Sequence, residues 1–195
     1  WNQAPENLTN LTQYVERKWK MPLTWQVIDL EKATAADYAQ TPVLFISGSD
    51  AFTLTPQQRA AMRRYVERGG FIFIDGCCGD EGFDTSVRRE LADMFPESDY
   101  NLERLTAEHP IWSIDEKVDP KYIDPDGRWL WGINFACKTS VVYCPGNLSC
   151  FWELGGLSGT GKPGSEKINT PMQGEIDTCR ALGVNVLAYA TNKNL

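Results

Sequence analysis

The sequence predicts an α/β fold, with an open, mostly parallel sheet and helices on both faces. Helix-like and strand-like segments alternate along the chain. Two apolar runs, Val43–Ile46 and Phe71–Ile74, are continuous rather than alternating, as in parallel strands that are buried on both faces. A helical pattern joins them, which indicates a βαβ unit. A chain of 195 residues can bury one sizeable core and is short for two, so residues 1–195 are predicted to form a single domain.

The first half of the chain is predicted to hold two helices and three strands. Residues 8–18 place apolar side chains on one helical face. Thr-Pro-Gln-Gln at 55–58 supplies a hydroxyl cap, a proline at the first helical position and a capping-box glutamine. The helix that follows is predicted to end at the glycine pair 69–70. Strands are predicted at 23–30, 42–49 and 71–75.

In the second half, Asp84 or Thr85 is predicted to cap a helix that ends before Pro96. Residues 155–171 have the composition of a loop, and residues 172–191 are predicted to form a final helix. Shorter strands are predicted at 101–105, 129–136 and 139–144.

Composition excludes some classes of function. The hydrophobic and charged fractions, 42% and 23%, are typical of globular proteins. A net charge of −7 and the lack of a basic patch argue against nucleic-acid binding. The longest apolar runs are too short to cross a bilayer. The chain begins at Trp1 rather than Met, so an upstream segment is expected to have been removed.

Three turns are predicted to share one edge of the sheet, because binding sites in open parallel sheets gather beyond the carboxyl ends of the strands. They are residues 47–50, 75–80 and 144–150. This edge is the candidate site for a small molecule or a protein partner. The predicted ligand-binding residues are Ser47, Gly48, Ser49, Asp50, Asp75, Asp80, Ser149, Trp152 and Glu153.

Adjacent cysteines at this edge are the candidate nucleophiles. A catalytic thiolate at Cys77 or Cys78 needs a base, and His109 is the only imidazole in the chain. The glycines around the pair enclose two residues, whereas the usual elbow encloses three, and the acidic neighbours disfavour a thiolate. The pair could instead be small buried side chains, take part in a disulfide, or bind a metal together with a distant cysteine. A bridge among Cys137, Cys144 and Cys150 is also plausible.

Neither a phosphate-binding loop nor a metal site is expected. "GLSGTGKP" at 156–163 resembles a phosphate-binding loop, but helix breakers follow it, so a surface loop is expected. With one histidine and no Cys-x-x-Cys, the sequence predicts no metal site, and it implies no cofactor.

Four stretches taken together resemble the DUF4159 family of bacterial proteins: residues 44–96, 108–112, 141–153 and 179–191. The resemblance implies a flavodoxin-like fold of the kind found in class I glutamine amidotransferases and ThuA-like proteins. It also implies export or a membrane anchor, and it brings no established activity.

The chain departs from this resemblance in two ways. The family pattern places a strand before Trp1, so the domain is expected to lack that strand and to leave one sheet edge open. The late His-x-Glu of working glutaminases is also missing, so a Cys-His-Glu triad is not carried over.

Three hypotheses follow. The first is an exported amidotransferase-like domain that is non-catalytic and binds a small ligand or a protein at the rim. The second is a cysteine-dependent hydrolase or amidotransferase that uses Cys77 or Cys78 with His109. The third is a structural subunit of a larger, membrane-anchored or oligomeric assembly, joined through the open sheet edge.

Overall fold

The computed structural model describes residues 5–77, 81–123, 128–158 and 170–192. The helices are α1 (Asn7–Trp19), α2 (Ala35–Ala39), α3 (Pro56–Glu67), α4 (Glu81–Met94), α5 (Leu148–Ser158) and α6 (Thr170–Ala190). The strands are β1 (Val43–Gly48), β2 (Phe71–Gly76), β3 (Glu103–Arg104), β4 (Trp131–Phe135) and β5 (Lys138–Cys144).

The five strands form one sheet in the order β1-β2-β5-β4-β3. β1, β2 and β5 are parallel, with Val43 opposite Phe71 and Ile72 opposite Val141. β4 and β3 add an antiparallel extension. The prediction of an open α/β sheet is confirmed, but the sheet is mixed. Its antiparallel part arises because only two residues, Ala136 and Cys137, join β4 to β5, and so short a link can join only antiparallel strands.

Helices cover both faces of the sheet, as predicted. Alternate side chains of β2 point to opposite faces. Phe71 and Phe73 pack with residues of α1, α5 and α6, whereas Ile72 and Ile74 pack with residues of α3 and α4. The helix α3 begins with the predicted capping box, in which Thr55 Oγ1 accepts a hydrogen bond from the Gln58 backbone N–H at 3.2 Å.

The strand predicted at 23–30 does not form. Leu23 packs against the cluster on one face of the sheet and Ile28 against the cluster on the other, so this segment passes from one face to the other. Trp25 and Val27 are 44% and 64% exposed. Alternating sequence forms a strand only beside a pairing partner. Within the described part of the chain, β1 pairs with β2 alone and is therefore an edge strand.

Three other boundaries differ from the prediction. α4 begins at Glu81, before the expected caps, and Asp84 instead accepts a hydrogen bond from the Tyr143 hydroxyl at 2.9 Å. β3 has two residues rather than five. α5 continues into the first residues of the predicted loop 155–171, most of which lies outside the described residues.

Candidate functional site

The topology places a switch point between β2 and β5 at the predicted edge of the sheet. α4 follows β2 and packs on the face that carries Ile72, whereas α5 follows β5 and packs on the face that carries Phe73. Two adjacent parallel strands whose chains leave toward opposite faces open a crevice between their carboxyl ends. We call this place the β2–β5 crevice. It is formed by residues 75–77 and 145–150.

The walls of the crevice lie close together. The backbone N–H of Asn147 donates to the carbonyl of Gly76 at 2.9 Å, and Asn147 has a left-handed backbone with φ 58°. A Cβ atom at position 76 would lie 3.0 Å from the carbonyl oxygen of Pro145. Glycine at 76 therefore lets the turn after β5 rest against the end of β2.

Asp75 ties β2 to the start of α5. Its side chain is fully buried and accepts hydrogen bonds from the backbone N–H groups of Leu148 and Ser149, at 2.8 and 2.9 Å. Burial raises the pKa of Asp75, although these hydrogen bonds and the positive charge of Arg128 act in the opposite direction. The carboxyl group thus caps a helix that belongs to another part of the chain. Since it occupies that helix terminus, the terminus is not open to an anion.

Cys77 lies against Cys150 in the crevice. Cys77 is 5% exposed and follows the last residue of β2, whereas Cys150 is half-buried in the first turn of α5. Their sulfurs are 3.2 Å apart, a contact distance well beyond the S–S bond length of about 2.05 Å.

The structure has no disulfide among Cys137, Cys144 and Cys150, the bridge that the sequence leaves plausible. The exposed Cys137 precedes β5 and the buried Cys144 ends it, so the whole strand separates them. The Cys144 thiol donates to the carbonyl of Arg128 at 3.8 Å. Burial, together with the charge of Asp75, raises the pKa of Cys144 well above its ordinary value, which makes this thiol inert.

One polar atom of the crevice has no hydrogen-bond partner among the described residues. The side-chain oxygen Oδ1 of Asn147 is buried and accepts no hydrogen bond from the described residues. Buried acceptors are nearly always hydrogen-bonded, so this atom is expected to receive a donor that the described residues do not supply. Asn147 is not among the ligand-binding residues that the sequence predicts. Its signal was the Pro-Gly-Asn turn directly before a helix.

The predicted residues 47–50 lie beside the crevice on the same edge of the sheet. Ser47 is opposite Asp75 in the pairing of β1 with β2, and Gly48 is opposite Gly76. The ring of Phe83 lies against Gly48. Asp50 is exposed and is 3.4 Å from the hydroxyl of Ser49.

Three predicted ligand-binding residues instead make contacts inside the domain. Ser149 is 1% exposed and is held by Asp75. Trp152 is 2% exposed, and its indole N–H donates to the carbonyl of Cys179 at 2.9 Å. The Glu153 carboxylate accepts from the backbone N–H of Glu6 at 2.7 Å. The sequence was interpreted as a turn at this point. Once α5 is known, Trp152 follows Leu148 by four residues and so shares its buried face.

His109 lies near the amino ends of the parallel strands, whereas Cys77 lies at their carboxyl ends. Its Nε2 is 3.0 Å from Oγ1 of Thr139, and its Nδ1 accepts from the backbone N–H of Ile111 at 3.2 Å. Thr139 is near the start of β5, whereas Cys77 follows the end of the parallel β2, so roughly 16 Å of strand separates the two edges.

The roles of His109 are accordingly local. Burial lowers its pKa, so the neutral ring is favoured, and the accepting Nδ1 assigns the proton to Nε2. The structure does not bring His109 together with Cys77. The other predicted site residues at this turn, Cys78 and Asp80, lie outside the described residues.

The described residues hold neither a cluster of metal ligands nor a helix that could span a membrane. Across the described ranges, the structure places no group of three or more His, Cys, Asp or Glu side chains where they could hold a metal ion. None of the helices in those ranges combines the length and the apolar character needed to cross a bilayer.

The comparison with known proteins identifies the family. The sequence profile of DUF4159, a domain of unknown function, matches residues 1–191, so the chain belongs to this family. No curated protein matches the chain.

Proposed function

We propose that this member of the DUF4159 family is a binding domain that takes a small polar ligand in the β2–β5 crevice, without Cys–His catalysis. The buried Oδ1 of Asn147, which has no partner in the described part of the chain, is the observation that carries the proposal. It lies at a topological switch point, where open α/β sheets bind their ligands.

The charges around the crevice favour a neutral or cationic ligand with an N–H or O–H donor. Asn147 Oδ1 needs a donor, and the exposed Asp50 lies on the same edge. The amides at the start of α5, which could otherwise bind an anion, already donate to Asp75. A net charge of −7 further opposes anions.

The same geometry disfavours a cysteine hydrolase that relies on His109. Acyl transfer requires a nucleophile and a base within hydrogen-bond reach. His109 lies at the far end of the sheet, and its two ring nitrogens already contact Thr139 and the backbone of Ile111.

Chemical-shift mapping with small ammonium and amide compounds, beside matched carboxylates and phosphates, tests the proposal. We expect donor compounds to shift the amides of residues 75–77 and 145–150, and anions to leave them unchanged. Replacing Asn147 with glycine keeps the left-handed backbone and removes the acceptor, so we expect binding to weaken about tenfold.

The matched control is Asn192→Gly. Asn192 has the same left-handed backbone, with φ 54°, and lies just after α6. We expect this variant to bind like the wild type. Unchanged binding in Asn147→Gly, or equal binding of carboxylates, would contradict the proposal.

We also propose that the sheet has the flavodoxin-like fold of the amidotransferases and that the protein is exported. Both are supported by the sequence resemblance alone.

A second candidate function is assembly through β1. β1 carries the continuous apolar sequence of a buried strand, yet in the described structure it is an edge strand, and most of its side chains are only half-buried. It has no charge, proline or bulge of the kind that protects edges. Of the four exposed large apolar side chains of the described residues, Trp25 and Val27 lie in the segment that passes from one face of the sheet to the other, and Met21 lies just before it.

We propose β1 of a second copy as the partner, because two identical strands pair with twofold symmetry and leave neither copy of β1 exposed as an edge. Hydrogen exchange tests this. In a dimer of the 22.0 kDa chain, the amides of Val43–Gly48 are expected to exchange slowly throughout. A monomer in which every second amide of this strand exchanges fast would rule it out.

A further inference from the structure

We propose that Cys77 and Cys150 form a redox-active dithiol, which exchanges with low-molecular-weight disulfides and closes into an intramolecular disulfide. The inference goes beyond the proposed ligand binding and does not depend on it. Its basis is the 3.2 Å contact between the two sulfurs across the β2–β5 crevice.

The backbone already holds the two cysteines in place. Cys77 follows β2, and Cys150 lies in the first turn of α5. The hydrogen bond from Asn147 to Gly76 and the two amide contacts of Asp75 fix one element against the other. The sulfurs need to approach by only about 1 Å to reach bonding distance. The loop between the two cysteines is therefore already closed by the fold, and its closure adds little further entropic cost.

Exposure assigns different roles to the two thiols. Cys150 is half-buried, whereas Cys77 is 5% exposed. A dissolved disulfide therefore reaches Cys150 first, and Cys77 resolves the product. Cys144 and Cys179 are fully buried, and Cys137 lies at the other end of β5. Among the cysteines with described positions, the pair at the crevice is thus the one suited to this reaction.

The reaction balances as two exchanges. The Cys150 thiolate attacks one sulfur of a disulfide RSSR, which forms a protein–SR mixed disulfide and releases RS⁻. The Cys77 thiolate then attacks the sulfur of Cys150, forms the Cys77–Cys150 bond and releases the second RS⁻. The two protein thiols lose two electrons and two protons, and RSSR gains them as two RSH molecules.

Oxidised glutathione provides the test. The experiment uses the 195-residue chain with the substitution Cys137→Ser, which removes an exposed thiol at the other end of β5. After oxidation and tryptic digestion, we expect a disulfide that links peptide 69–88 to peptide 139–167. Added Cys77→Ala should abolish the link and leave a glutathione adduct on Cys150. Added Cys150→Ala should slow modification of Cys77 at least tenfold.

Cys78→Ala is the decisive control, because Cys78 lies in the same peptide. We expect the link to form in this variant at the wild-type rate. A link that survives Cys77→Ala, or one that disappears in Cys78→Ala, would overturn the assignment. So would a glutathione adduct on Cys150 that never resolves in folded protein, as judged by circular dichroism.

Two further variants separate this inference from the other proposals. His109→Gln should leave the rate of exchange unchanged, because His109 lies at the opposite edge of the sheet. Asn147→Gly should also leave the link intact while it weakens ligand binding, because glycine keeps the backbone N–H that donates to Gly76. A loss of exchange in the His109 variant would contradict the geometry on which the inference is based.

Discussion

Replacing Asp75 with alanine is expected to lower the free energy of unfolding by about 3 kcal/mol. The substitution leaves the backbone N–H groups of Leu148 and Ser149 buried without an acceptor, and each such group costs about 1–3 kcal/mol. It also removes the contact that fixes α5 against the end of β2. Urea unfolding followed by circular dichroism measures the change.

The matched control is Asp50→Ala, because Asp50 lies on the same edge of the sheet but is exposed. We expect that variant to change the free energy of unfolding by no more than about 0.5 kcal/mol. A loss that is equally small in Asp75→Ala would show that the cap does not stabilise α5.

Asp75 also makes a pH-dependent contribution. Burial raises the pKa of Asp75 above its ordinary value of 3.8, so the folded state binds this proton more tightly than the unfolded chain does. The contribution is therefore largest at pH values below 3.8 and declines as the pH rises through the pKa of the folded state. We expect the stability of the wild type relative to Asp75→Asn to fall across that window.

Local patterns were enough to predict most of the individual elements. The capping box at Thr55 and the continuous apolar run at Phe71–Ile74 each depend on neighbours in sequence, and both appear where predicted. The position of the turns after β1, β2 and β5 along one edge of the sheet could also be predicted, because parallel strands place their carboxyl ends together.

The contacts within the site could not be predicted in this way. The cap of α5 comes from Asp75, which precedes Leu148 by 73 residues, and no local pattern records such a partner. The order of residues along the chain also does not reveal whether His109 packs near the start or near the end of β5. The position of His109 depends on the hairpin at Ala136, which pairs β4 with β5 antiparallel in a sheet predicted to be mostly parallel. Trp152 is named as a ligand-binding candidate because the sequence pattern does not identify α5.

The second large effect concerns Trp152. Its side chain packs against Phe45 and Phe73, with ring centroids 5.8 and 6.2 Å away. Trp152→Ala is expected to lower the free energy of unfolding by about 4 kcal/mol, as for other large aromatic side chains removed from cores. Trp152→Phe keeps most of the ring and loses the hydrogen bond to Cys179, so a loss of about 1 kcal/mol is expected.

Gly183 of α6 packs against Trp152 and gives a second test of this contact. A Cβ atom at Gly183, in the middle of α6, would lie 2.8 Å from the Trp152 ring and 3.0 Å from Leu11. In the wild type, Gly183→Ala is therefore expected to destabilise the domain by about 1–3 kcal/mol through overpacking.

In the Trp152→Ala background the sign should reverse. The ring is gone and the Leu11 methyl group can move into the space, so alanine's better helix propensity should stabilise the domain by about 1 kcal/mol. Leu91→Ala provides a matched background, because it opens a cavity on the opposite face of the sheet. There Gly183→Ala should remain destabilising. If the sign reverses in both backgrounds or in neither, contact with Trp152 is not the reason that α6 carries a glycine.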